Sequence, residues 1–224
     1  MNFVNPMPRG QKRTLVRRLL SFARGPIPEK FNTLKRVFYY FKGILYYRQV
    51  FGSFGINSIL FKPLLLSNPR FIHIGKNVDI GQGVRMEALI TSGKRIPEFR
   101  IGDNVNIEQN VHLVCHSRLV IGSDVSITGH CAIVDVTHPY ANVDDPIKIG
   151  SRILDEDSFV EIGNGSFLGF GTVVMPNVRI GKNCIIGAHS VVTKNVPDYS
   201  VIAGNPAKVL RRYDHIAGEW LAQR

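Results

Sequence analysis

The feature that most constrains this chain is a repeat of period six between Ile162 and Pro197. The first position of every hexad is a branched aliphatic residue, and the second position is glycine in four of the six hexads. The first positions are occupied by Ile162, Leu168, Val174, Ile180, Ile186 and Val192. Neither the 3.6-residue period of a helix nor the two-residue alternation of a strand fits this pattern. The stretch therefore predicts a repeat architecture in which the chain turns a corner every six residues.

The same rhythm extends upstream in sets of three hexads, which begin at Ile74, Ile101 and Ile121. Residues 92–100 and 139–148 interrupt the hexads and contain prolines and charges, so both are predicted loops. Three hexads are expected to close one triangular coil, and successive coils should lie about 4.8 Å apart, the spacing of neighbouring strands. The predicted fold is therefore an all-β solenoid over residues 71–206, a parallel β-helix.

The segment 207–224 is predicted to be a helical cap on this solenoid. Proline is favoured in the first turn of a helix, and Pro206 precedes apolar residues at roughly helical spacing. A cap of some kind is expected, because an open final coil would expose unpaired strand edges.

The N-terminal arm, residues 1–70, is predicted to be helical and holds almost all of the excess charge. It contains 13 basic residues and one acid, whereas the whole chain has a formal charge of +11. Helices are predicted within residues 11–24 and over residues 29–51. The second could pack on the repeat domain, or residues 1–50 could lie on an anionic membrane surface. No recognition motif supports nucleic-acid binding.

The expected location is the cytoplasm, either free or peripheral on the inner face of the membrane. The three cysteines form no CxxC pair, which favours reduced thiols. No apolar run reaches the roughly 18 residues of a transmembrane helix, and the N-terminus lacks the pattern of a signal peptide.

Three motifs resemble those of a known family. The segments THP at 137–139, VTKNVP at 192–197 and AGNPAKVLR at 203–211 are similar to galactoside, maltose, O-antigen and capsule O-acetyltransferases of the hexapeptide-repeat family. The resemblance covers residues 72–212. It implies a left-handed parallel β-helix and a homotrimer with acetyl-CoA bound between neighbouring prisms. It also implies transfer of an acetyl group to a glycan or glycolipid acceptor.

Acyl transfer to a hydroxyl requires a base that removes the hydroxyl proton, and histidine titrates in the suitable range. His138 is the candidate base, because it precedes a proline where the chain leaves the solenoid and because it matches the family's catalytic histidine. Asp135 is expected to orient this imidazole or to bind the acceptor. Backbone N–H groups near Gly169 and Gly171 are candidates for stabilising the oxyanion, since glycine permits close approach.

The resemblance also implies residues that contact the two substrates. Acetyl-CoA is expected to contact Gly169, Phe170, Gly171, Gly187, Ala188, Thr193, Lys194 and Arg211. The acceptor is expected to contact Glu108, Asn110, His116, His130 and Tyr140, although the two histidines could instead be wall or corner residues. Glu108 stands where the galactoside enzymes have asparagine, which predicts a different acceptor.

Three alternatives remain at this point. An N-acetyltransferase acting on an amino sugar or sugar nucleotide would use the same base. A zinc enzyme like the γ-class carbonic anhydrases would need three clustered histidines, but the histidine spacing does not reproduce that family's pattern, so no metal is expected. An inactive repeat scaffold would give no role to His138.

Overall fold

The computed structural model describes residues 26–91 and 95–223, and within them the chain forms a three-sided parallel β-helix. The helix predicted within residues 11–24 lies outside the described residues. The first sheet contains β1 (Ser53–Phe54), β4 (Ile72–Ile74), β7 (Glu98–Ile101), β10 (Arg118–Ile121), β13 (Phe159–Ile162) and β16 (Val178–Ile180). The second contains β2 (Ile59–Leu60), β5 (Asp79–Ile80), β8 (Asn106–Ile107), β11 (Ser126–Ile127), β14 (Phe167–Leu168), β17 (Ile185–Ile186), β19 (Ser200–Gly204), β20 (Ala207–Asp214) and β21 (Glu219–Ala222). The third contains β3 (Leu65–Ser67), β6 (Arg85–Ala88), β9 (His112–Cys115), β12 (Ala132–Val134), β15 (Val173–Val174) and β18 (Val191–Val192).

Parallel pairing between coils stacks the first hexad positions in the interior. Ile107 pairs with Ile127, which pairs with Leu168, and all three side chains are buried. The fifth positions are also buried, and where serine or threonine occupies them in the regular run the hydroxyl group is hydrogen-bonded. The Ser166 hydroxyl donates to Gly181 O at 2.9 Å and accepts from the Cys184 amide at 3.0 Å. The interior is therefore a continuous apolar ladder with satisfied polar groups at its corners.

The solenoid begins earlier than the sequence analysis predicted. Strands β1, β2 and β3 form a complete coil between Ser53 and Ser67 that pairs in parallel with the next coil. The boundary at residue 70 is therefore wrong. The hexad signal is present in Phe54, Leu60 and Leu66, which are six residues apart, but an aromatic residue in the first of these positions obscured it.

The predicted N-terminal helix is present as α1, Ile27–Lys42, and continues through a π-helical turn, Gly43–Tyr47, into a last α-helical turn, Arg48–Val50. None of the residues of α1 is buried. Tyr47, on the π-helical turn, is buried, and its ring contacts Phe51 and Phe54 at centroid distances of 5.6 Å. Over the described residues, no helix combines the length and apolar character needed to cross a membrane.

The C-terminal segment is a β-hairpin, so the predicted C-terminal helix is wrong. Strand β20 pairs antiparallel with β19 and with β21, which extends the second sheet. Asn205 and Pro206 lie in the turn between Gly204 and Ala207, which are cross-strand partners. The last coil needs hydrogen-bond partners along its open edge, and an antiparallel strand supplies them directly. The cap was predicted for the right reason and with the wrong secondary structure.

Candidate active site

The chain leaves the solenoid after β12 and returns at β13, and the segment between them, residues 135–158, is called the long loop. A cleft of about 450 Å³ lies where the chain leaves the solenoid. The floor of the cleft is the outward face of the third sheet, including Val114 and Val134, which are register partners. The long loop contributes Gly150 and Ile153, and His138 lies on the cleft wall. A small apolar floor with polar groups on the walls is typical of a site for a small polar molecule.

His138 is exposed and its ring is held by one defined contact. Its Nδ1 atom lies 2.7 Å from the backbone oxygen of Arg152. Because a carbonyl oxygen can only accept, Nδ1 donates in this contact, and in the neutral form of the ring the lone pair then lies on Nε2. The backbone therefore selects the tautomer in which Nε2 can take a proton from another molecule.

Three further polar side chains line the same cleft. Arg85 and His112 are register partners on neighbouring coils, and Arg85 forms an ion pair with the nearly buried Glu87. Burial, assisted by the charge of Arg85, lowers the pKa of His112, and Glu87 partly opposes this. The cleft thus presents a guanidinium, a carboxylate and a neutral imidazole, which can donate to and accept from hydroxyl groups.

These three residues were missed in the sequence analysis. Arg85 and His112 occupy the last hexad position, which faces outward on the third sheet and directly precedes a buried aliphatic residue. The register between coils aligns Arg85 and His112 with Ala132 on the next coil. His138 lies six residues after Ala132 and lines the same cleft.

Asp135 does not occupy the position expected of a residue that orients His138. Its carboxylate is fully buried and accepts backbone N–H groups from His116, Ser117 and Arg118 at 2.6, 2.8 and 2.7 Å. Burial raises the pKa of Asp135, and these three donors act in the opposite direction. The described contacts therefore make Asp135 a cap for the turn between β9 and β10.

His116 is also placed differently from the expectation of an acceptor contact. It is 1% exposed, and its Nε2 atom lies 3.4 Å from Thr91 Oγ1 and 3.8 Å from Asp155 Oδ1. Thr91 and Asp155 belong to the two loops that leave the solenoid at the same corner. His116 is thus covered by these loops and cannot reach a sugar in this conformation.

Four other predicted residues lie along the corner between the second and third sheets, away from the cleft lining. The Glu108 side chain accepts from the Gly129 amide at 3.1 Å, and the Asn110 amide lies 3.2 Å from His130 Nε2. The exposed Phe170 ring lies 5.0 Å from the His130 ring and 5.5 Å from that of His189. This corner is a ladder of polar and aromatic side chains. Tyr140 is 76% exposed on the long loop.

The predicted oxyanion donors are engaged within the solenoid. The Gly169 amide donates to Ile186 O at 2.8 Å, and the Gly171 amide donates to Gly129 O at 3.1 Å. Gly171 has φ of +69°, which explains the glycine at this corner. The two glycines therefore shape the corner, and their N–H groups are not available to a ligand.

The residues expected to contact acetyl-CoA fall on two corners of the prism and on the terminal hairpin. The exposed Ala188 follows Gly187 at the corner that also holds Phe170. Thr193 and Lys194 are exposed at the corner of His138, two coils further along, which corresponds to about 10 Å. Arg211 is exposed on β20. The described chain does not bring these residues together by itself.

Comparisons with known proteins agree with this architecture. A family model described as bacterial transferase hexapeptide (six repeats) matches residues 159–194. The Escherichia coli K12 protein WbbJ, provisionally named a lipopolysaccharide biosynthesis O-acetyl transferase, is 33% identical over 162 residues, which are 70% of this chain and 80% of that protein. The galactoside O-acetyltransferase of the same organism is 30% identical over 164 residues, which are 73% of this chain and 65% of that enzyme.

A solved structure shows the same fold. AntD, an N-acyltransferase from Bacillus cereus in complex with dTDP and 3-hydroxybutyryl-CoA, superposes with a TM-score of 0.52 at 17% identity, covering 76% of this chain and 87% of that chain. The three-sided solenoid of this chain is thus also the fold of that structure. The chain belongs to the bacterial hexapeptide transferase family and is an acyltransferase with a left-handed parallel β-helix, as its motifs predicted.

Proposed function

We propose that this protein transfers the acetyl group of acetyl-CoA to a sugar hydroxyl of a cell-surface polysaccharide or its lipid-linked precursor. The observation that carries the proposal is the contact between His138 Nδ1 and Arg152 O, which selects the neutral tautomer with its lone pair on Nε2, beside a cleft of sugar size. The names of WbbJ and of the galactoside enzyme, both relatives at 30% identity or more, support a sugar acceptor.

In this reaction His138 Nε2 accepts the proton of the acceptor hydroxyl while that oxygen attacks the thioester carbonyl carbon. A C–O bond forms, the carbonyl oxygen becomes an oxyanion, and the C–S bond breaks as the oxyanion collapses. The imidazolium returns its proton to the departing thiolate, so the histidine is regenerated. No covalent acyl-enzyme is needed, because the acceptor attacks the thioester directly.

The oxyanion donor is proposed to be the backbone N–H of Phe170. Gly169 and Gly171 on either side of it donate to neighbouring coils, whereas among the described residues the Phe170 amide is not one of these donors. A corner amide of this kind can point at a bound carbonyl oxygen.

The acyl donor is proposed to lie between protomers of a homotrimer. Phe170 and Ala188 lie on one corner of the prism, and His138, Thr193 and Lys194 lie on another. A groove formed by one corner of each of two neighbours would bring both sets against the same molecule. Lys194 and Arg211 are then available for the phosphates.

The acceptor is proposed to bind over Val114 and Val134, with its hydroxyl groups against Arg85, Glu87 and His112. Apolar floors suit the C–H face of a sugar ring, and the polar walls can fix its orientation.

Helix α1 is proposed to hold the protein at an anionic membrane surface, where lipid-linked acceptors reside. An exposed stripe runs along the helix and its π-helical extension at spacings of three and four residues, formed by Ile27, Phe31, Leu34, Phe38, Phe41 and Leu45. At 3.6 residues per turn, Lys30, Lys35 and Lys42 flank this stripe and Glu29 lies opposite. Aromatic residues flanked by lysines are typical of helices that lie in the membrane interface.

The acetyl-transfer proposal is tested with His138→Gln and acetyl-CoA, using galactosides, maltose, glucosamine and extracted lipopolysaccharide as acceptors and mass spectrometry of the products. Loss of a positioned base should reduce the rate by about 10²- to 10⁴-fold. His73→Gln, on the outward face of the first sheet, is the matched control and should retain activity. Acetylation of amines alone would replace the proposal with N-acetyl transfer, and full activity in His138→Gln would refute the assignment of the base.

The membrane proposal is tested by co-sedimentation with phosphatidylcholine vesicles with and without phosphatidylglycerol. Burying two phenylalanine side chains contributes at least about 3 kcal/mol, so Phe31→Ser with Phe41→Ser should weaken binding by more than about 100-fold. Phe167→Ser, an exposed aromatic on the second sheet, is the control. Equal binding by both variants, or binding insensitive to salt and to anionic lipid, would contradict the proposal.

A further inference from the structure

The long loop after β12 is folded around a single side chain, that of Arg152. The Arg152 side chain is only 9% exposed, although the loop lies on the surface. Its guanidinium donates to three backbone oxygens of the loop, those of Ile147, Asn142 and Asp145, at 2.6, 2.9 and 2.9 Å. It also pairs with the Asp145 carboxylate at 3.3 Å. These contacts link residues up to ten positions apart in the loop.

The same residue contacts His138 through its backbone. The Arg152 carbonyl oxygen is the acceptor for His138 Nδ1–H at 2.7 Å. Two residues further on, the Leu154 amide donates to Thr137 O at 3.1 Å, so residues 152–154 run beside residues 137–138. The two ends of the loop therefore contact each other at His138, and the guanidinium of Arg152 binds the backbone between them.

The position of the Arg152 carbonyl depends on the conformation of the loop. A loop without helix or strand pairing of its own has many conformations, and each fixed residue costs about 1–2 kcal/mol of entropy. A planar guanidinium that donates to three carbonyl oxygens restricts the conformations of the loop more than a lysine ammonium can. Between Val134 and Phe159 the described elements comprise one short 3₁₀ turn, Ile149–Ser151, directly before Arg152.

We propose that Arg152 is the positioning residue for the catalytic histidine, a role that rests on the proposed function of His138. The guanidinium fixes the loop, the loop fixes the Arg152 carbonyl, and the carbonyl fixes the imidazole with Nδ1 protonated and Nε2 free. Arg152 itself contacts neither substrate in this role.

The first test does not require a substrate. In protein labelled with ¹⁵N-histidine, the side-chain resonances of His138, assigned by their loss in His138→Gln, should report a proton on Nδ1. In Arg152→Met these resonances should move toward the average of the two tautomers. Arg179→Met is the control, because Arg179 also pairs with a carboxylate but lies on the first sheet, and it should leave the resonances unchanged.

The second test measures the kinetics of the same variants with acetyl-CoA and the best acceptor. Arg152→Met should lower kcat by about 10- to 100-fold, part of the 10²- to 10⁴-fold that a positioned base contributes, and leave the KM for acetyl-CoA unchanged. Arg152→Lys should have a kcat close to that of Arg152→Met. Guanidinium chloride added to Arg152→Ala should restore part of the kcat of the parent protein.

Two results separate the possible failures. Parent-like resonances and parent-like kcat in Arg152→Met, with an unchanged melting temperature, would overturn the positioning role. A tautomer shift in Arg152→Met combined with no acetyl transfer by the parent protein would support the positioning role and overturn the proposed function.

Discussion

Replacing Asp135 tests whether this buried carboxylate stabilises a turn or serves His138, the proposed base. It accepts three backbone N–H groups, one on Oδ1 and two on Oδ2. Asp135→Asn keeps one acceptor oxygen and leaves at least one donor unpaired, whereas Asp135→Ala leaves all three unpaired. A buried unpaired donor costs about 1–3 kcal/mol, so we expect about 2 kcal/mol for Asp135→Asn and about 4 kcal/mol for Asp135→Ala.

Thermal unfolding at one protein concentration measures this series. For a chain of this size each kcal/mol lowers the melting temperature by about 2–4 °C, so decreases of about 4–8 °C and about 8–16 °C are expected. Asp103→Ala is the control, because Asp103 accepts one backbone N–H, that of Lys76, at an exposed corner. It should lose about 1 kcal/mol.

The activity of the same variants decides between the two roles. If Asp135 only caps the turn, kcat measured well below the melting temperature should stay close to that of the parent in Asp135→Asn. A fall of 10²-fold or more in kcat with an unchanged melting temperature would refute the structural reasoning, because this is the result expected of a carboxylate that orients the catalytic base.

Three further predictions concern the scaffold. Leu168→Ala, in the fully buried ladder, should destabilise the protein by about 2–5 kcal/mol in denaturant titrations, and Phe167→Ala next to it, with a half-exposed ring, by much less. Cys115, Cys131 and Cys184 are buried and their pKa values are raised mainly by that burial, so iodoacetamide should label them at pH 8 only after unfolding; labelling of the native protein would contradict their placement. Arg179 and Arg118 lower the pKa of Glu161, so its contribution to stability is present above the ordinary glutamate range and is lost as pH falls through the lowered value; Glu161→Gln should remove that part of the acid dependence of the melting temperature.

The solenoid could be predicted from sequence because each coil repeats the same local requirement. Ile107, Ile127 and Leu168 each need an interior position, and each is followed by a corner, so one period fixes sheet, register and core together. The first coil was missed because Phe54 replaces the aliphatic residue, and the terminal hairpin because apolar spacing after Pro206 does not distinguish a helix from a strand paired on one edge.

The candidate site could be derived from the sequence only where it coincides with a motif. His138 precedes the proline at which the chain leaves the solenoid, which the sequence shows. Arg85 and His112 line the same cleft because their coils pair in register, and the Arg152 carbonyl contacts His138 from fourteen residues further along the chain. Asp135 was assigned to the histidine because the two are near in sequence, but its carboxylate points to the preceding coil.

The corner between the third and first sheets tolerates changes in chain length that the rest of the prism does not tolerate. Equivalent residues of neighbouring coils are 20 positions apart at Asn104 and Asp124 and 18 positions apart at Ser166 and Cys184. One residue added within a strand would turn every later side chain of that strand from the inside to the outside. The loop that leaves the solenoid here separates Thr128 from Leu168 by 40 residues, yet on the second sheet Thr128 still bonds to Leu168 and β11 still pairs in parallel with β14. Mutation can therefore change the length of the segment between β12 and β13 while the parallel pairing of the coils is preserved, so sequence change in this loop and stability of the prism are separable, provided that the contacts of Arg152 are kept.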